Sequence, residues 1–367
     1  MSEKIRVLAI NPGSTSTKIA LFDDFTKLFK KTVIHSLQKL SGFPKIQDQL
    51  EYRTEMVEKA MADKGYAMED VDAFVGRGGG LYPMPGGVYK VTDLLTKHAS
   101  VGISGMHHPA QLGSQIAKNI ADKYGKPAYV VNPPDTDEFC DVARVTGVKG
   151  VYRESHLHAL NQKETAIRFC GARGLDYTDV NLIVCHIGGG ISITAHKKGR
   201  MIDSNDIIKG SGPLSPTRAG DLPYMNVIDM AYSGKYTKEE LINKLNRSGG
   251  LVDYFGTADL LKIYEMVNNG DRLAEVIIAG MIYQHAKYIG AMAAALRGEV
   301  EAILLTGSIA NSKIFVDSVA EYVSWISEVV VMPGEFELEA LAGGVVRVMR
   351  GELKEKKYTG KPIWSGF

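Results

Sequence analysis

A strand that runs into a loop of small residues and returns as a second strand occurs twice in this chain. The first copy is Ile5–Phe22, "IRVLAINPGSTSTKIALF", and the second opens Asn181–Asp203, "NLIVCHIGGGISITAHKKGRMID". In each, an apolar strand ends on a polar residue, Asn11 or His186, just before the loop. A third apolar segment, "EAILLTGSIANS" (Glu301–Ser312), also ends in a glycine loop. A strand–loop–strand unit that returns after a long interval points to a duplicated domain. The 367 residues suffice for two domains of ordinary size. The boundary is expected near residues 137–155, although no linker composition marks it.

The intervening segments alternate between helical and strand patterns, as an α/β chain requires. Residues Lys45–Lys64 place Tyr52, Met56 and Ala60 one turn apart, with Gly65 as the expected stop. Asp72–Gly80, "DAFVGRGGG", reads as a strand entering a glycine loop. His107–Gly125 reads as a helix after His-His-Pro, and Pro127–Asp137 as a strand entering a Pro-rich turn. Leu273–Leu296 is the longest apolar-looking segment, but Glu275, His285 and Lys287 interrupt it. A buried or subunit-interface helix is expected there, not a membrane span.

Several function classes are disfavoured by composition. The net charge of +1 supplies no broad basic field for nucleic acid or an anionic membrane. Cys140, Cys170 and Cys185 are sparse, with no C-x-x-C, so neither a disulfide framework nor a cysteine zinc site is expected. The N-terminus enters a strand pattern without a secretory apolar region, which favours a cytoplasmic protein.

Small residues let backbone N–H groups approach a phosphate closely, and clustered N–H groups favour anions. The P-loop signature, G-x-G-x-x-G, H-E-x-x-H and G-x-S-x-G are all lacking. Each loop here leads from strand to strand, so a plain hairpin turn is the competing reading. Recurrence in both halves, with the third loop at Gly307, favours phosphate binding.

The segments "INPGSTSTK", "HHPAQ", "CHIGGGISI", "SGPLSPTRAGDLP" and "LLTGSIANS" stand in the order found in the acetate and butyrate kinase family. The chain resembles that family from Asn11 to about Leu341. The resemblance implies an α/β fold of two similar actin/Hsp70-like (ribonuclease H-like) domains flanking a nucleotide cleft. It places the N-terminal domain at residues 1–140 plus a returning segment at about 338–367, and the nucleotide-binding domain at 141–337. The implied reaction is reversible, direct in-line transfer of the γ-phosphoryl group of ATP to a short-chain carboxylate, with Mg²⁺, giving ADP and an acyl phosphate. The implied partners are the small-molecule carboxylate and the nucleotide, and a homodimer or higher homo-oligomer.

A carboxylate is already ionised at neutral pH, so it needs no general base. The obstacle is an anion attacking an anion, which calls for cations and donors around the phosphoryl group. The family motif "TRxGD" assigns such a role to Arg218, and Arg77 in "VGRGGG" offers a second guanidinium. The resemblance adds His107 in "MHHPAQ", Asp135 in "PPDTDEF", and a histidine of "RESHLHALN", His158 in preference to His156. Asp135 is expected to orient an arginine or hold Mg²⁺ through water. Asn11, Gly13, Ser14, Thr15, Ser16 and Lys18 are assigned to the phosphate side, with His186, Gly188, Gly189 and Gly190. Gly307, Ser308 and Asn311 are assigned to the adenosine. Asn11, Asp135 and a late glutamate, Glu335 or Glu337 with Glu337 preferred, form the magnesium site that the resemblance implies.

Three features lean toward butyrate over acetate: "GRGGG", the form of the arginine loop, and a short chain. Acetate and branched acids such as isobutyrate stay open, as does a sugar-type hydroxyl kinase using Asp135 as base. An ATP-driven binding protein of the actin/Hsp70 kind is the alternative outside small-molecule chemistry.

Overall fold

The computed structural model describes residues 3–105 and 108–367. The chain divides into two compact units, each built around one mixed sheet. Unit 1 comprises residues 1–137, 159–164 and 336–367; unit 2 comprises 138–158 and 165–335.

Unit 1 holds six strands in the order β3-β2-β1-β4-β6-β5. They are β1 (Arg6–Pro12), β2 (Ser16–Asp23), β3 (Thr26–Ile34), β4 (Ala73–Gly76), β5 (Val88–Lys90) and β6 (Ala128–Val131). β1, β2 and β3 form an antiparallel meander, and β4 and β6 add in parallel. The run "VLAI" is continuously apolar because both faces of β1 are covered. Leu8 and Ile10 pack with Val57, Met61, Leu112 and Ile116, from the helices Leu50–Ala62 and Leu112–Tyr124. Val7 and Ala9 pack with Leu338, Leu341 and Val345 of the returning helix Glu337–Met349. The segment 45–64 is thus a short 3₁₀ turn, Ile46–Gln49, followed by the α-helix.

Unit 2 repeats the plan with five strands in the order β11-β10-β7-β8-β9. They are β7 (Asn181–Ile187), β8 (Ile191–Lys197), β9 (Arg200–Ser204), β10 (Ala302–Thr306) and β11 (Glu328–Val331). β7, β8 and β9 again form an antiparallel meander, and β10 and β11 add in parallel. Both meanders carry an irregularity between their second and third strands, at Leu21/Phe22 and at Ala195/His196. Ile183, Cys185 and Ile187 face the helices Arg272–Ala295 and Lys313–Val323, while Leu182 and Val184 face Ala166, Phe169 and Cys170 of the helix Ala159–Arg173.

Arg272–Ala295 lies in the core: Ala274, Ile278, Met281, His285 and Ile289 are all buried. Among the described residues, no helix is long and apolar enough to cross a membrane.

Candidate active site

In unit 1 the polar groups gather where β1 and β4 end. These strands are parallel neighbours with Ile10 opposite Gly76, so Asn11 and Arg77 emerge side by side. The Arg77 amide donates to the Ile10 carbonyl at 3.0 Å. Such close placement depends on two glycines: a Cβ on Gly76 would stand 2.0 Å from the Gly113 carbonyl oxygen, and one on Gly113 would stand 2.7 Å from the Arg77 nitrogen. The returning helix begins at Glu337, whose carboxylate lies in its first turn, where the helix dipole favours negative charge. Asn11 Nδ2 donates to Glu337 Oε2 at 2.6 Å, and Arg77 Nη2 lies 3.3 Å from Glu337 Oε1. Arg77 Nη1 is buried without a hydrogen-bond partner among the described residues. A buried donor left in this way costs about 1–3 kcal/mol, a deficit that an anionic ligand would remove.

Asp135 is buried, and its Oδ1 accepts from the Leu81 amide at 3.0 Å. It therefore anchors the glycine loop that follows Arg77. His107 lies outside the described residues; His108 caps the following turn, its Nδ1 accepting from the Ala110 amide at 3.1 Å. Lys18 stands directly opposite Asn11 in the β1–β2 register. The loop between them is pinned by Gly13 N donating to Ser16 O at 2.7 Å and His35 N donating to Thr15 O at 2.9 Å, and it leaves Ser14 and Thr15 exposed.

In unit 2, β7 delivers His186 to the edge of its glycine loop. The His186 and His158 rings are stacked, 3.8 Å between centroids. His158 Nδ1 is 2.8 Å from Ser192 Oγ, and His186 Nε2 is 3.9 Å from Glu335 Oε1. His156 instead pairs with buried Asp206, its Nδ1 3.0 Å from both carboxylate oxygens. Burial raises the Asp206 pKa, but His156 and the Ile208 and Lys209 amides outweigh it and hold the carboxyl below its usual range.

The β7–β8 loop also meets the segment carrying Arg218. Ser215 Oγ and Thr217 Oγ1 donate to the Gly189 carbonyl at 2.7 and 3.0 Å, and Arg218 N donates to Ser215 Oγ at 3.1 Å. The Arg218 guanidinium lies against Gly190, where a Cβ would stand 3.0 Å from Cζ. Its Nη1 donates to the Ile207 carbonyl. Burial lowers the Arg218 pKa, opposed by the charge of Asp206. Beside Arg218 opens a cleft of about 850 Å³ whose lining is mainly apolar, with Ile207, Ile208, Leu222 and Val227, and also includes Asp206, Lys209, Asp221 and Asn246.

Gly307 sits at φ +93°, where a Cβ would stand 2.4 Å from the Ile187 carbonyl oxygen, so the ends of β7 and β10 touch. A Cβ on Gly188 would in turn stand 3.5 Å from Ser308 Oγ. Asn311 is exposed and bonded within its own loop, Nδ2 donating to Ser308 O at 2.9 Å.

Unit 1 therefore brings together Asn11, Lys18, Arg77 and Glu337, with Asp135 securing the loop after Arg77. Unit 2 brings together His158, His186, Gly188–Gly190, Ser308, Arg218 and Glu335. Sequence reasoning overlooked Asp206, the cleft beside Arg218, and the fully buried Arg53 beneath the first loop. Arg53 was detectable: with Leu50, Val57 and Ala60 it falls on the apolar stripe of its helix. Among the described residues, no group of three or more His, Cys, Asp or Glu is arranged to hold a metal.

Residues 155–327 match the model of the acetokinase family. Among solved structures, an acetate kinase from Porphyromonas gingivalis superposes with a TM-score of 0.74 at 20% identity, covering 93% of this chain and 99% of that one. A propionate kinase from Francisella tularensis gives 0.71 at 18%, over 92% and 98%. A putative N-acetylmannosamine kinase from Listeria monocytogenes gives 0.54 at 13%, over 95% and 100%. These likenesses establish the fold: an α/β chain with two mixed sheets, matching the acetate kinase structures.

Proposed function

We propose that this protein is an ATP-dependent carboxylate kinase that phosphorylates a short-chain acid, butyrate in preference to acetate, giving the acyl phosphate and ADP reversibly. The family match over residues 155–327 supports the reaction class. The observation that carries the reading is the placing of Arg218: a guanidinium laid against the glycine loop, at the rim of a mainly apolar cleft of about 850 Å³. A guanidinium binds carboxylate or phosphate oxygens in bidentate fashion, and apolar walls favour an alkyl tail over a sugar.

In this reading Arg77 and Arg218 neutralise charge on the reactants and orient the transfer. Asp135 holds the Arg77 loop and abstracts no proton, since the acid arrives ionised. The stacked His158 and His186 rings offer N–H donors on the nucleotide side, and Gly188–Gly190 let phosphate oxygens approach the backbone. Nδ2 of Asn11 is engaged by Glu337, which leaves Oδ1 as an acceptor. Together with the Glu337 carboxylate, this pair of oxygen donors fits a magnesium ion that keeps most of its waters. Bound there, Mg²⁺ would supply neutralisation of nucleotide phosphate charge.

The experiment is a hydroxylamine-trapping assay for acyl phosphate with MgATP and acetate, propionate, butyrate and isobutyrate. Burying each added methylene is worth about 0.8 kcal/mol, so kcat/KM should rise about fourfold per methylene up to butyrate. A sugar-type kinase would instead release ADP with hexosamines and leave no hydroxamate.

A further inference from the structure

The side chain beneath the first small-residue loop is a buried cation. Arg53, in the helix Leu50–Ala62, has no solvent exposure. Its guanidinium meets four oxygens of the loop: Nη1 donates to Gly13 O at 3.0 Å, Ser16 O at 3.2 Å and Thr17 Oγ1 at 3.1 Å, and Nη2 donates to Ser14 O at 3.2 Å. Nε donates to Gln49 Oε1 at 3.0 Å. Among the described residues, no carboxylate pairs with it. Carbonyl and hydroxyl oxygens satisfy the donors but leave the charge uncompensated, and a buried charge without a counter-ion is costly.

The same contacts fix how the loop faces outward. In a trans peptide the C=O and the next N–H point in opposite directions, and no peptide bond here is cis. Drawing the Gly13 and Ser14 carbonyls down onto Arg53 therefore turns the Ser14 and Thr15 N–H groups away from it, on the two exposed residues of the loop. A pair of outward amides above a buried cation is a seat for an anion. His35 adds no competing charge, since burial, together with the neighbouring Arg53, lowers its pKa to about 4.

We infer that Arg53 is a positioning residue of the nucleotide site: it shapes the Gly13–Thr17 loop from below and supplies the charge that a polyphosphate neutralises. This rests on the proposed nucleotide-dependent function and on the resemblance that assigns the first loop to the nucleotide's phosphates. Its energetic signature is reciprocal. Binding of a polyphosphate relieves the uncompensated charge, so the ligand stabilises the wild type more than a variant lacking that charge.

The test compares wild type, Arg53→Met and Arg53→Lys. The readouts are the rise in melting temperature with inorganic tripolyphosphate and with MgATP, at low and high salt, and KM for ATP against kcat. Arg53→Met should weaken tripolyphosphate binding by about tenfold to a hundredfold and flatten its salt dependence. KM for ATP should rise, with a smaller change in kcat. Arg53→Lys keeps the charge without the fork, and should recover most of the affinity. If Arg53→Met does not fold, Arg53→Lys decides the matter: affinity near wild type supports the role, and a loss of tenfold or more overturns it. Equal stabilisation of wild type and Arg53→Met by tripolyphosphate would also overturn it, with the nucleotide reading intact. A wild type stabilised by neither ligand would overturn both.

Discussion

Arg77 and Arg218 are held differently. Arg77 leans on Glu337 and keeps one buried donor open, whereas Arg218 is braced by the Ile207 carbonyl and the Ser215 hydroxyl against a glycine loop. In the proposed reading, removing Arg218 takes away charge needed chiefly as the phosphoryl group moves. Arg218→Ala is therefore expected to lose about 10²–10³ in kcat, with KM for ATP changed only a few-fold. Steady-state kinetics read the two parameters separately, and an unchanged kcat would refute the role. In the proposed reading Glu337 serves magnesium, and it also holds Asn11 and Arg77. Glu337→Gln should raise the Mg²⁺ concentration for half-maximal rate by about tenfold, read by metal titration of the initial rate. The positions of Asn11, the glycine loops and Arg218 at strand ends and in loops were legible in the sequence, whereas the part each plays rests on the proposed function. Between Glu335 and Glu337 the sequence leaned to Glu337 without deciding, since they lie two residues apart on one short segment; in the fold Glu337 starts a helix beside Asn11 while Glu335 lies by His186.

Elements reach these residues through backbone approaches that only glycine permits. The Gly76–Gly113 crossing holds β4 against the helix Leu112–Tyr124 and so fixes where Arg77 leaves the sheet. Gly76→Ala would drive a methyl into the Gly113 carbonyl. A loss of about 3 kcal/mol or more is expected in urea unfolding, together with loss of activity. The repeated meander was half visible in sequence: the first two strands of unit 1 carry apolar runs on either side of a small-residue loop, but β3, Thr26–Ile34, passed unrecognised. That strand is an edge strand, Lys-rich and mostly exposed, and so lacks the apolar run that identified its neighbours.

At the scale of the whole molecule, histidines that folding strips of water set an acid limit on stability, and His35 and His285 are the two with the largest shifts among the described residues. His285 is buried in the core of unit 2 and His35 beneath the first loop of unit 1, and burial lowers each pKa to about 4 from an ordinary 6.5. Between those values the unfolded chain binds more protons than the folded one, so stability is full above pH 6.5 and drains as pH falls toward 4. The loss is expected to be on the order of 1–3 kcal/mol per site, measured by urea unfolding across that range. His285→Gln should flatten part of the slope. The duplicated architecture was readable from two echoing hairpins, because a buried sheet leaves continuous apolar strands. The cleft beside Arg218 was not, since its walls come from residues between 191 and 246 that only the fold assembles.

The most direct measurement is hydroxamate formation from purified protein with MgATP across the acid series from acetate to butyrate, run beside Arg218→Ala. Acyl phosphate that forms fastest from butyrate, and falls a hundredfold or more in the variant, is the predicted result. Failure of the wild type to phosphorylate any short-chain acid, or equal turnover in the variant, would contradict the account.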